Sequence, residues 1–368
     1  MIEENQRKLD RHVNILFVME RRINAGSIQA LANYVRAGKK LGHLIALYGA
    51  SDPQFPEIHC STELDEFDHV IFIFESKLSL FSGLQLARLL TLVPRSRRVI
   101  LDADGMYNPR IIVKNYDRNH NTERDCKRWV ASYEAVADRI VQPTLSACPS
   151  RVEPFLFYGY DSNACIQSGG TKCFDVMHVA HNWWRWREVS ERLLPALEQV
   201  RNDLGEICFV GMWWDAPPSW AAAIGQQDAF CVDPGRLHAA GIRVLPPVPY
   251  SEVIATMSTA RINIMTQRPL LRRLRLVTSK YFEVFTADTI ALVMLDAEHA
   301  ERIYGPAGRE LALQDQIASK LMDVLKRPKK YQDLVQDVRQ HLAAYHSYER
   351  RLEDLIAMLD SRPQAKAS

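Results

Sequence analysis

Residues 13–48 read VNILFVMERRINAGSIQALANYVRAGKKLGHLIALY and contain an apolar run, a loop, a helical pattern and a second apolar run. The run Val13–Met19 is continuous, short and rich in β-branched residues, which is typical of a strand buried on both faces of a parallel sheet. A loop containing Gly26 follows, and Ser27–Leu41 carries apolar residues at helical spacing. His43–Tyr48 is the second predicted strand. This β-α-β order predicts a parallel sheet covered by helices.

The same alternation extends along the chain and restarts after a polar, Gly-containing segment, Cys165–Lys172. Before this segment, strands are predicted at Asp68–Phe74, Arg98–Leu101, Asp138–Gln142 and Pro154–Phe157. After it, strands are predicted at Asp175–Val179, Ile207–Gly211, Ile242–Leu245, Ile262–Met265 and Ile290–Leu295. Helices are predicted at Glu188–Asn202, Ser251–Ser258, Lys280–Thr286, Gln314–Leu325 and Tyr331–Leu359.

We therefore predict an α/β protein with two Rossmann-like, doubly wound parallel-sheet domains at residues 1–165 and 172–335. A C-terminal helix at 336–368 is expected to return to the first domain. Ligands of open parallel sheets bind beyond the carboxyl ends of the strands, so the expected site lies in a cleft between the two sheets. The alternative is two unrelated α/β domains that share no site.

Composition narrows the class of protein. The 368 residues are 47% hydrophobic and 24% charged, which excludes disordered, fibrous and disulfide-scaffold proteins. Lys and Arg total 46 against 44 acidic residues, and this balance argues against a nucleic-acid partner. The seven cysteines form no CxxC pair, so neither a disulfide framework nor a zinc site is expected. Without a signal peptide or a spanning apolar run, we expect a cytoplasmic protein, with peripheral contact to the inner face of the membrane left open.

A strongly basic stretch follows a predicted strand of the second domain. Between Glu252 and Glu283 there is no acidic residue, but there are six basic ones, Arg261, Arg268, Arg272, Arg273, Arg275 and Lys280. Guanidinium groups and helix N-termini both suit phosphate oxygens, and a basic excess confined to one loop favours a diphosphate over a polynucleotide. The alternative is a solvated positive surface.

Glu283 lies in the predicted helix that follows this loop. Neither Thr278 nor Ser279 precedes it at the spacing of three residues that a capping box needs. A carboxylate there can accept two hydrogen bonds from adjacent sugar hydroxyls. The alternative is a solvent-facing helical glutamate.

A second polar segment, DVMHVAHNWWRWREV at 175–189, follows the first strand of the second domain. His181 and Arg185 are candidates to contact phosphate, although His181 also fits a satisfied histidine at a strand end. Its tryptophans either stack on a base or sugar or form a packing plug, and they are Trp183, Trp184 and Trp186. The turn Gly211–Asp215 (GMWWD) resembles the v-G-x-x-W turn of GT-B glycosyltransferases, and this resemblance implies that it lines a base pocket.

The first domain offers carboxylates that could act as a general base towards a bound ligand. They are Glu20, Glu75 and the pair Asp102 and Asp104, which follows a strand. The alternative for the pair is an Asp-Gly turn in which the carboxylate caps its own backbone. Gly26 lies in the loop that follows the first predicted strand.

The stretch Thr278–Leu295 resembles the nucleotide-sugar signature of GT-B glycosyltransferases, most closely the family-4-type and spore-maturation (CgeB-like) branches. In this resemblance the pattern of a small polar residue, a Lys, an aromatic and Phe-Glu precedes an apolar strand. It implies that Glu283 binds the ribose of a nucleotide-sugar donor. Two positions depart from the family pattern: Arg275 replaces a second Glu, and Ala287–Asp288 replaces a Gly.

The resemblance implies a glycosyltransferase that moves a sugar from a nucleotide-diphosphate-sugar donor to a saccharide, lipid or other small-molecule acceptor, with no cofactor and no required metal. The expected catalytic residues are Asp104, Asp102 and His181, and Gly26 lies on the acceptor side. The expected donor-binding residues are Arg185, Arg268, Arg272, Arg273, Lys280, Glu283, Thr278 and Gly211. The alternatives are a sugar-nucleotide epimerase on the same fold and a non-catalytic binding protein derived from it.

Overall fold

The computed structural model describes residues 12–21, 26–74, 83–107, 123–146, 152–166, 169–223 and 227–361. These residues form two compact units. The first unit contains the described residues up to 107, those of 126–159, and 348–361, and the second contains 123–125 and 160–347. Each unit is built around one parallel sheet.

The first unit has a seven-stranded sheet in the order β3-β2-β1-β4-β5-β6-β7. Its strands are β1 (Asn14–Met19), β2 (Leu44–Tyr48), β3 (Cys60–Ser61), β4 (His69–Ile73), β5 (Arg98–Leu101), β6 (Arg139–Gln142) and β7 (Val152–Pro154). Its first three helices are α1 (Gly26–Leu41), α2 (Gly83–Leu92) and α3 (Glu123–Val136), the last from residue 126 onwards. All strand pairs are parallel, and β1, β4 and β5 are almost entirely buried, which explains their continuous apolar sequences.

One buried arginine caps the C-terminal ends of two helices of this unit. The Arg98 guanidinium donates to the carbonyls of Val93, at 2.8 Å, and Val136, at 3.1 Å, and also to that of Leu90. These carbonyls lie at the C-terminal ends of α2 and α3, where helices leave carbonyl groups unsatisfied and the helix dipole favours a cation.

The second unit has a five-stranded parallel sheet in the order β10-β9-β8-β11-β12. Its strands are β8 (Phe174–Val179), β9 (Ile207–Val210), β10 (Ile242–Leu245), β11 (Ala260–Met265) and β12 (Ile290–Val293). A composite helix α4 follows β8 as Trp186–Glu188, a π turn at Val189–Leu193, and Leu194–Gln199. The other helices are α5 (Pro234–Ala239), α6 (Tyr250–Ser258), α7 (Pro269–Leu274), α8 (Lys280–Thr286), α9 (Ala297–Tyr304), α10 (Pro306–Leu311), α11 (Ile317–Lys326) and α12 (Pro328–Tyr345).

The register of the second sheet brings two loops together. Val176 of β8 lies opposite Ile262 of β11, and Met177 lies opposite Asn263. Because the strands are parallel, the segments that leave β8 and β11 emerge at the same edge of the sheet. This edge carries most of the polar residues singled out from the sequence.

The last helix, α13 (Tyr348–Asp360), belongs to the first unit. Tyr348 packs edge-on against Tyr34 of α1 with ring centroids 5.5 Å apart, and Lys40 pairs with Glu349 at 2.8 Å. Arg139 of β6 donates to the carbonyl of Ser361 at 3.0 Å, which ties down the end of this helix.

Three local predictions were wrong. The strand expected at Pro154–Phe157 is Val152–Pro154. Gly26 is the first residue of α1 and not part of a loop. The basic segment after β11 contains the helix α7, because Pro269 occupies its first turn and Leu270 and Leu271 are buried.

None of the helices in the described part of the chain is both long enough and apolar enough to cross a lipid bilayer.

Candidate functional site

The candidate site lies at the carboxyl edge of the second sheet. Three segments meet there: residues 180–185 after β8, residues 211–214 after β9, and the stretch from the end of β11 to α8. Their polar side chains determine what the edge can bind.

Gly211 allows the first two segments to touch. Its backbone has a φ of +150°, and a Cβ atom at this position would lie 2.1 Å from the carbonyl oxygen of Ala180. Such a contact cannot be relieved by a side-chain rotation, since the main chain fixes the positions of both the Cβ atom and the carbonyl oxygen. The indole of Trp214 donates to the same Ala180 oxygen at 2.6 Å, so the two loops are held in close contact.

His181 and Asn182 complete this junction. The backbone N–H of Met212 donates to Nδ1 of His181 at 3.1 Å, and the Asn182 N–H donates to the Met212 carbonyl at 2.9 Å. The Asn182 side-chain amide donates to the carbonyls of Trp213, at 3.0 Å, and Cys231, at 2.8 Å. Asn182 is therefore a structural residue that fixes the loop carrying His181.

Arg185 is a cation in an enclosed position. Its Nη1 donates to the carbonyl of His181 at 2.9 Å, and its Nε is buried with no hydrogen-bond partner among the described residues. Burial, followed by the charge of Arg268, lowers the pKa of the Arg185 guanidinium to about 9. Arg185 is half-buried, and no carboxylate in the described part of the chain forms an ion pair with it.

Arg268 approaches from the neighbouring strand. It precedes α7, and its guanidinium carbon lies 4.6 Å from the ring centroid of Trp183. Stacking on an aromatic face holds an arginine in place without neutralising its charge. Trp183 therefore positions Arg268 beside Arg185.

Lys280 and Glu283 lie on consecutive turns of α8. The Lys280 Nζ is 3.8 Å from Glu283 Oε2, and the Tyr250 hydroxyl donates to Glu283 Oε1 at 3.1 Å. Burial lowers the pKa of Lys280, while the charge of Glu283 raises it and that of Arg185 lowers it again. Glu283 is only 7% exposed, so its alternative interpretation as a solvent-facing helical residue was wrong.

We call Arg185, Arg268 and Lys280 the cation site. Arg268 and Lys280 both interact electrostatically with Arg185, so the three charges lie close together. A cavity of about 10 Å³ beneath Lys280 is lined by His178 and Thr266, among others. It has room for about one water molecule, so a larger ligand must bind at the outer face of this edge.

Several predicted donor-binding residues lie elsewhere or are already paired. Arg272 binds both carboxylate oxygens of Glu188, at 3.0 and 3.1 Å, which ties α7 to α4. Arg273 is exposed on α7, and Thr278 is half-buried just before α8. Arg261, which belongs to the basic stretch but was not among the predicted donor-binding residues, is the second residue of β11, at the opposite edge of the sheet, and lies 3.3 Å from Asp175.

Arg275 ends α7 in the left-handed region, with a φ of +52°. Its guanidinium lies 3.8 Å from the Asp296 carboxylate and 4.0 Å from that of Glu298, near the start of α9. The residue that departs from the family signature is thus directed towards acidic groups of the same unit.

The tryptophans of 183–184 pack against a later segment of the second unit. Trp184 clusters with Ala221, Ala229 and Phe230, and Trp213 contacts Phe230 with ring centroids 4.7 Å apart. This arrangement agrees with the packing interpretation, while the half-buried faces of Trp183 and Trp213 border the site.

The two aspartates of the first unit differ in environment. Asp102 is fully buried and accepts hydrogen bonds from the backbone of Met106 and Tyr107, both at 2.8 Å, and from Gln142 at 2.8 Å. Burial raises the pKa of its carboxyl group. This enclosure is typical of a carboxylate that shapes a turn, whereas Asp104 is half-buried. Glu20 is also half-buried, and Glu75 lies outside the described residues.

Sequence reasoning missed two residues of this region. Tyr250, whose hydroxyl donates a hydrogen bond to Glu283, is the first residue of the short helix α6. Glu188, which binds Arg272, lies 84 positions before Arg272 in the sequence. Neither carries a local sequence pattern, since only the fold brings these pairs together. Among the described residues, no group of three or more His, Cys, Asp or Glu side chains is arranged to hold a metal ion.

Residues 187–357 match the family described as Glycosyl transferase-like. The fold is similar to T4 phage β-glucosyltransferase in complex with its UDP-glucose substrate, with a TM-score of 0.57 and 12% identity over 95% of this chain and 100% of the other. The same T4 phage enzyme in complex with UDP and Mn²⁺ gives the same TM-score, identity and coverage.

An α-glucosyltransferase in complex with UDP and a 13-mer DNA containing a HMU base has a TM-score of 0.60 at 12% identity, with coverage of 95% and 100%. No curated protein sequence matches the chain. The predicted fold class is confirmed: the chain has the α/β architecture of GT-B glycosyltransferases, and residues 187–357 match the Glycosyl transferase-like family.

Proposed function

We propose that this protein is a glycosyltransferase that takes a sugar from a nucleoside-diphosphate sugar, and that the donor binds at the carboxyl edge of the second sheet. The observation that carries the proposal is the cation site, in which Arg185 has no carboxylate partner among the described residues. A half-buried cation without a counter-charge has lost part of its hydration, and an anion bound beside it offsets that cost. The diphosphate of the donor supplies that anion.

The negative charge that develops on the leaving diphosphate explains how the cation site would assist the transfer. As the glycosidic bond breaks, the leaving diphosphate gains negative charge on the oxygen that bridged it to the sugar. Cations fixed before the reaction bind this developing charge more tightly than the ground state and so lower the barrier. Arg185, Arg268 and Lys280 perform this task in our proposal, without a required metal.

Glu283 receives the ribose. Its carboxylate is held by Tyr250 and Lys280 and retains acceptor capacity for two sugar hydroxyls. For the acceptor hydroxyl we assign Asp104 as the base, because it is the less enclosed member of the aspartate pair.

The fold and the family match support a transferase, and the T4 phage enzyme with UDP-glucose makes UDP-glucose the first donor to test. The family-4-type and CgeB-like assignment belongs to this proposal as well. Saccharide and lipid acceptors remain the first choices, and vesicles of anionic lipid test peripheral membrane contact. DNA containing a HMU base is also tested as an acceptor, because an α-glucosyltransferase of this fold was solved in complex with such DNA.

Calorimetric titration with UDP, GDP, ADP and CDP tests the donor site. We expect Arg185→Gln to weaken binding of the preferred nucleotide by about 10- to 100-fold, since it removes a hydrogen bond to a charged group. Arg261→Gln is the matched control, because Arg261 has a 64% exposed side chain at the other edge of the same sheet. Equal affinities of the two variants, or no binding by the wild type, would contradict the proposal.

Incubation with UDP-glucose and candidate acceptors tests turnover. A transferase forms a glycosylated acceptor and free UDP, whereas an epimerase converts the donor without an acceptor, and a binding protein leaves it intact. We expect the same rate in the presence of EDTA, since side-chain cations neutralise the leaving group. A rate that EDTA abolishes and Mn²⁺ restores would overturn the metal-free mechanism.

A further inference from the structure

The imidazole of His181 is held by one of its two nitrogens. The Met212 N–H donates to Nδ1 at 3.1 Å, and a backbone N–H has no capacity to accept. Nδ1 therefore presents a lone pair, and the single proton of a neutral ring must lie on Nε2. Among the described residues, none accepts a hydrogen bond from Nε2.

The surroundings keep this ring uncharged. Burial is the main cause that lowers the pKa of His181, to about 4, and the positive charges of Lys280 and Arg185 add to it. Lys280 comes from α8, and Arg185 comes from the same loop as His181. Trp213, which lies edge-on at 5.6 Å, brings no charge.

We propose that His181 is a neutral hydrogen-bond donor that offers Nε2–H to an anionic oxygen of the ligand at the cation site, with its tautomer fixed by the Met212 backbone. This role rests on the proposed function, since the ligand is the donor diphosphate. The backbone bond requires Gly211, whose missing side chain lets the Met212 loop reach Ala180.

The geometry excludes a general-base role for His181 while the Met212 bond persists. Nδ1 is occupied as an acceptor and Nε2 already bears a proton, so the neutral ring has no free site for a substrate proton. A protonated ring would place another positive charge beside Arg185 and Lys280. A neutral donor instead adds a hydrogen bond to the anion without repelling the cations.

Nuclear magnetic resonance of the full chain, labelled with ¹⁵N in its histidine rings, tests the tautomer directly. The His181 signals are assigned by their loss in His181→Gln and, independently, in His181→Leu. We expect the Nε2–H pattern to persist from about pH 8 to about pH 5.5, across the ordinary histidine pKa of about 6.5. A Nδ1–H pattern, or titration near pH 6.5, would overturn the inference.

Binding of UDP and of inorganic pyrophosphate tests the contact. Glutamine can accept from Met212 through its oxygen and donate through its nitrogen, so we expect His181→Gln to bind within about 3-fold of the wild type. His181→Leu should bind about 10- to 100-fold more weakly, and the ratio should be the same at pH 6 and pH 8. Equal binding by the leucine variant would refute the contact. Failure of the wild type to bind any nucleotide would refute the proposed function but leave the tautomer result standing.

Discussion

At the scale of single residues, the sequence predicts which charges are present but not how they pair. The lack of acidic residues between Glu252 and Glu283 pointed to a basic segment, and Arg268 and Lys280 do lie near Arg185. Arg272 belongs to the same segment, yet it pairs with Glu188 from a distant part of the chain. This ion pair forms because the segments that follow β8 and β11 emerge at the same edge of the sheet. The spacing of residues within either segment does not predict it.

The ribose contact of Glu283 is a prediction at this scale. A carboxylate that binds ribose hydroxyls distinguishes UDP from 2′-deoxy-UDP. We expect the wild type to bind UDP about 10-fold or more tightly than 2′-deoxy-UDP, and Glu283→Ala to bind the two equally, because a hydrogen bond to a charged group is lost in each case. Isothermal titration calorimetry of the wild type and of Glu283→Ala, each with UDP and with 2′-deoxy-UDP, measures the four affinities that this comparison needs.

Glu252→Ala is the matched control for Glu283→Ala. Glu252 is an exposed glutamate on α6, the helix that also carries Tyr250. Its variant should retain the full preference for UDP. If Glu283→Ala retained that preference as well, the ribose would have to be bound by other residues.

At the scale of elements, the sequence pattern located most of the strands but missed the short strand β3 and the helix α7. The strands β1, β4 and β5 of the first unit are continuous apolar runs, and this composition predicts the burial that the structure shows. α7 was missed because its arginines obscured a helical pattern that Pro269, Leu270 and Leu271 nevertheless carried. The π turn at Val189–Leu193 has no comparable pattern, since it depends on packing around the helix.

The end of α8 explains a departure from the family signature. Ala287 has a φ of −76°, so this helix ends without the left-handed residue that favours glycine. Instead, Arg339 of α12 donates to the carbonyls of Phe285, at 2.7 Å, and Ala287, at 2.6 Å. Lys172 binds Asp288 through its carboxylate at 2.8 Å and through its carbonyl. Side-chain cations thus satisfy the carbonyls that a glycine turn otherwise serves.

A prediction follows for Arg339, because α8 carries both Lys280 and Glu283. Arg339→Met removes two charge-assisted hydrogen bonds, and we expect it to lower the free energy of unfolding by about 2–4 kcal/mol. It should also weaken nucleotide binding by several-fold, as the end of α8 loses its anchor. Urea unfolding and calorimetric titration measure the two effects.

Arg98→Met provides the comparison. Arg98 also binds helix-terminal carbonyls, but those of α2 and α3 in the first unit. It should lose a similar amount of stability and leave nucleotide affinity unchanged. Loss of affinity in both variants would mean that α8 is not specifically positioned by Arg339.

At the scale of the whole molecule, buried histidines are unevenly distributed between the units. Those with strongly lowered pKa values lie in the second unit: His178 at about 3, and His181 and His299 at about 4. Burial is the main cause in each case. The two α/β units were predictable from the repeated strand pattern, whereas this asymmetry depends on which polar residues the folded sheets enclose.

The lowered pKa values of these histidines determine the direction in which the free energy of unfolding changes with pH. An unfolded histidine gains a proton near pH 6.5, but these folded histidines remain neutral down to about pH 4. Between these values the unfolded state binds more protons, so the free energy of unfolding falls as the pH falls. Full stability is present above about pH 6.5, and each buried histidine removes on the order of 1–3 kcal/mol by about pH 4.

His299 allows this loss to be tested without disturbing the cation site. It is 2% exposed on α9, packs edge-on against Tyr281, and neither ring nitrogen hydrogen-bonds to a described residue. His299→Phe therefore keeps an aromatic ring and removes only the titrating group. We expect little change in the free energy of unfolding at pH 7.5 and a variant more stable than the wild type at pH 4.5, by on the order of 1–3 kcal/mol.

Tryptophan fluorescence follows the unfolding of the second unit, because six of the seven tryptophans lie between residues 183 and 220. His238→Phe, a change at a histidine of α5 in the same unit, should lose stability on acidification just as the wild type does. An identical acid loss in His299→Phe and the wild type would show that His299 is not among the groups that make the second unit acid-sensitive.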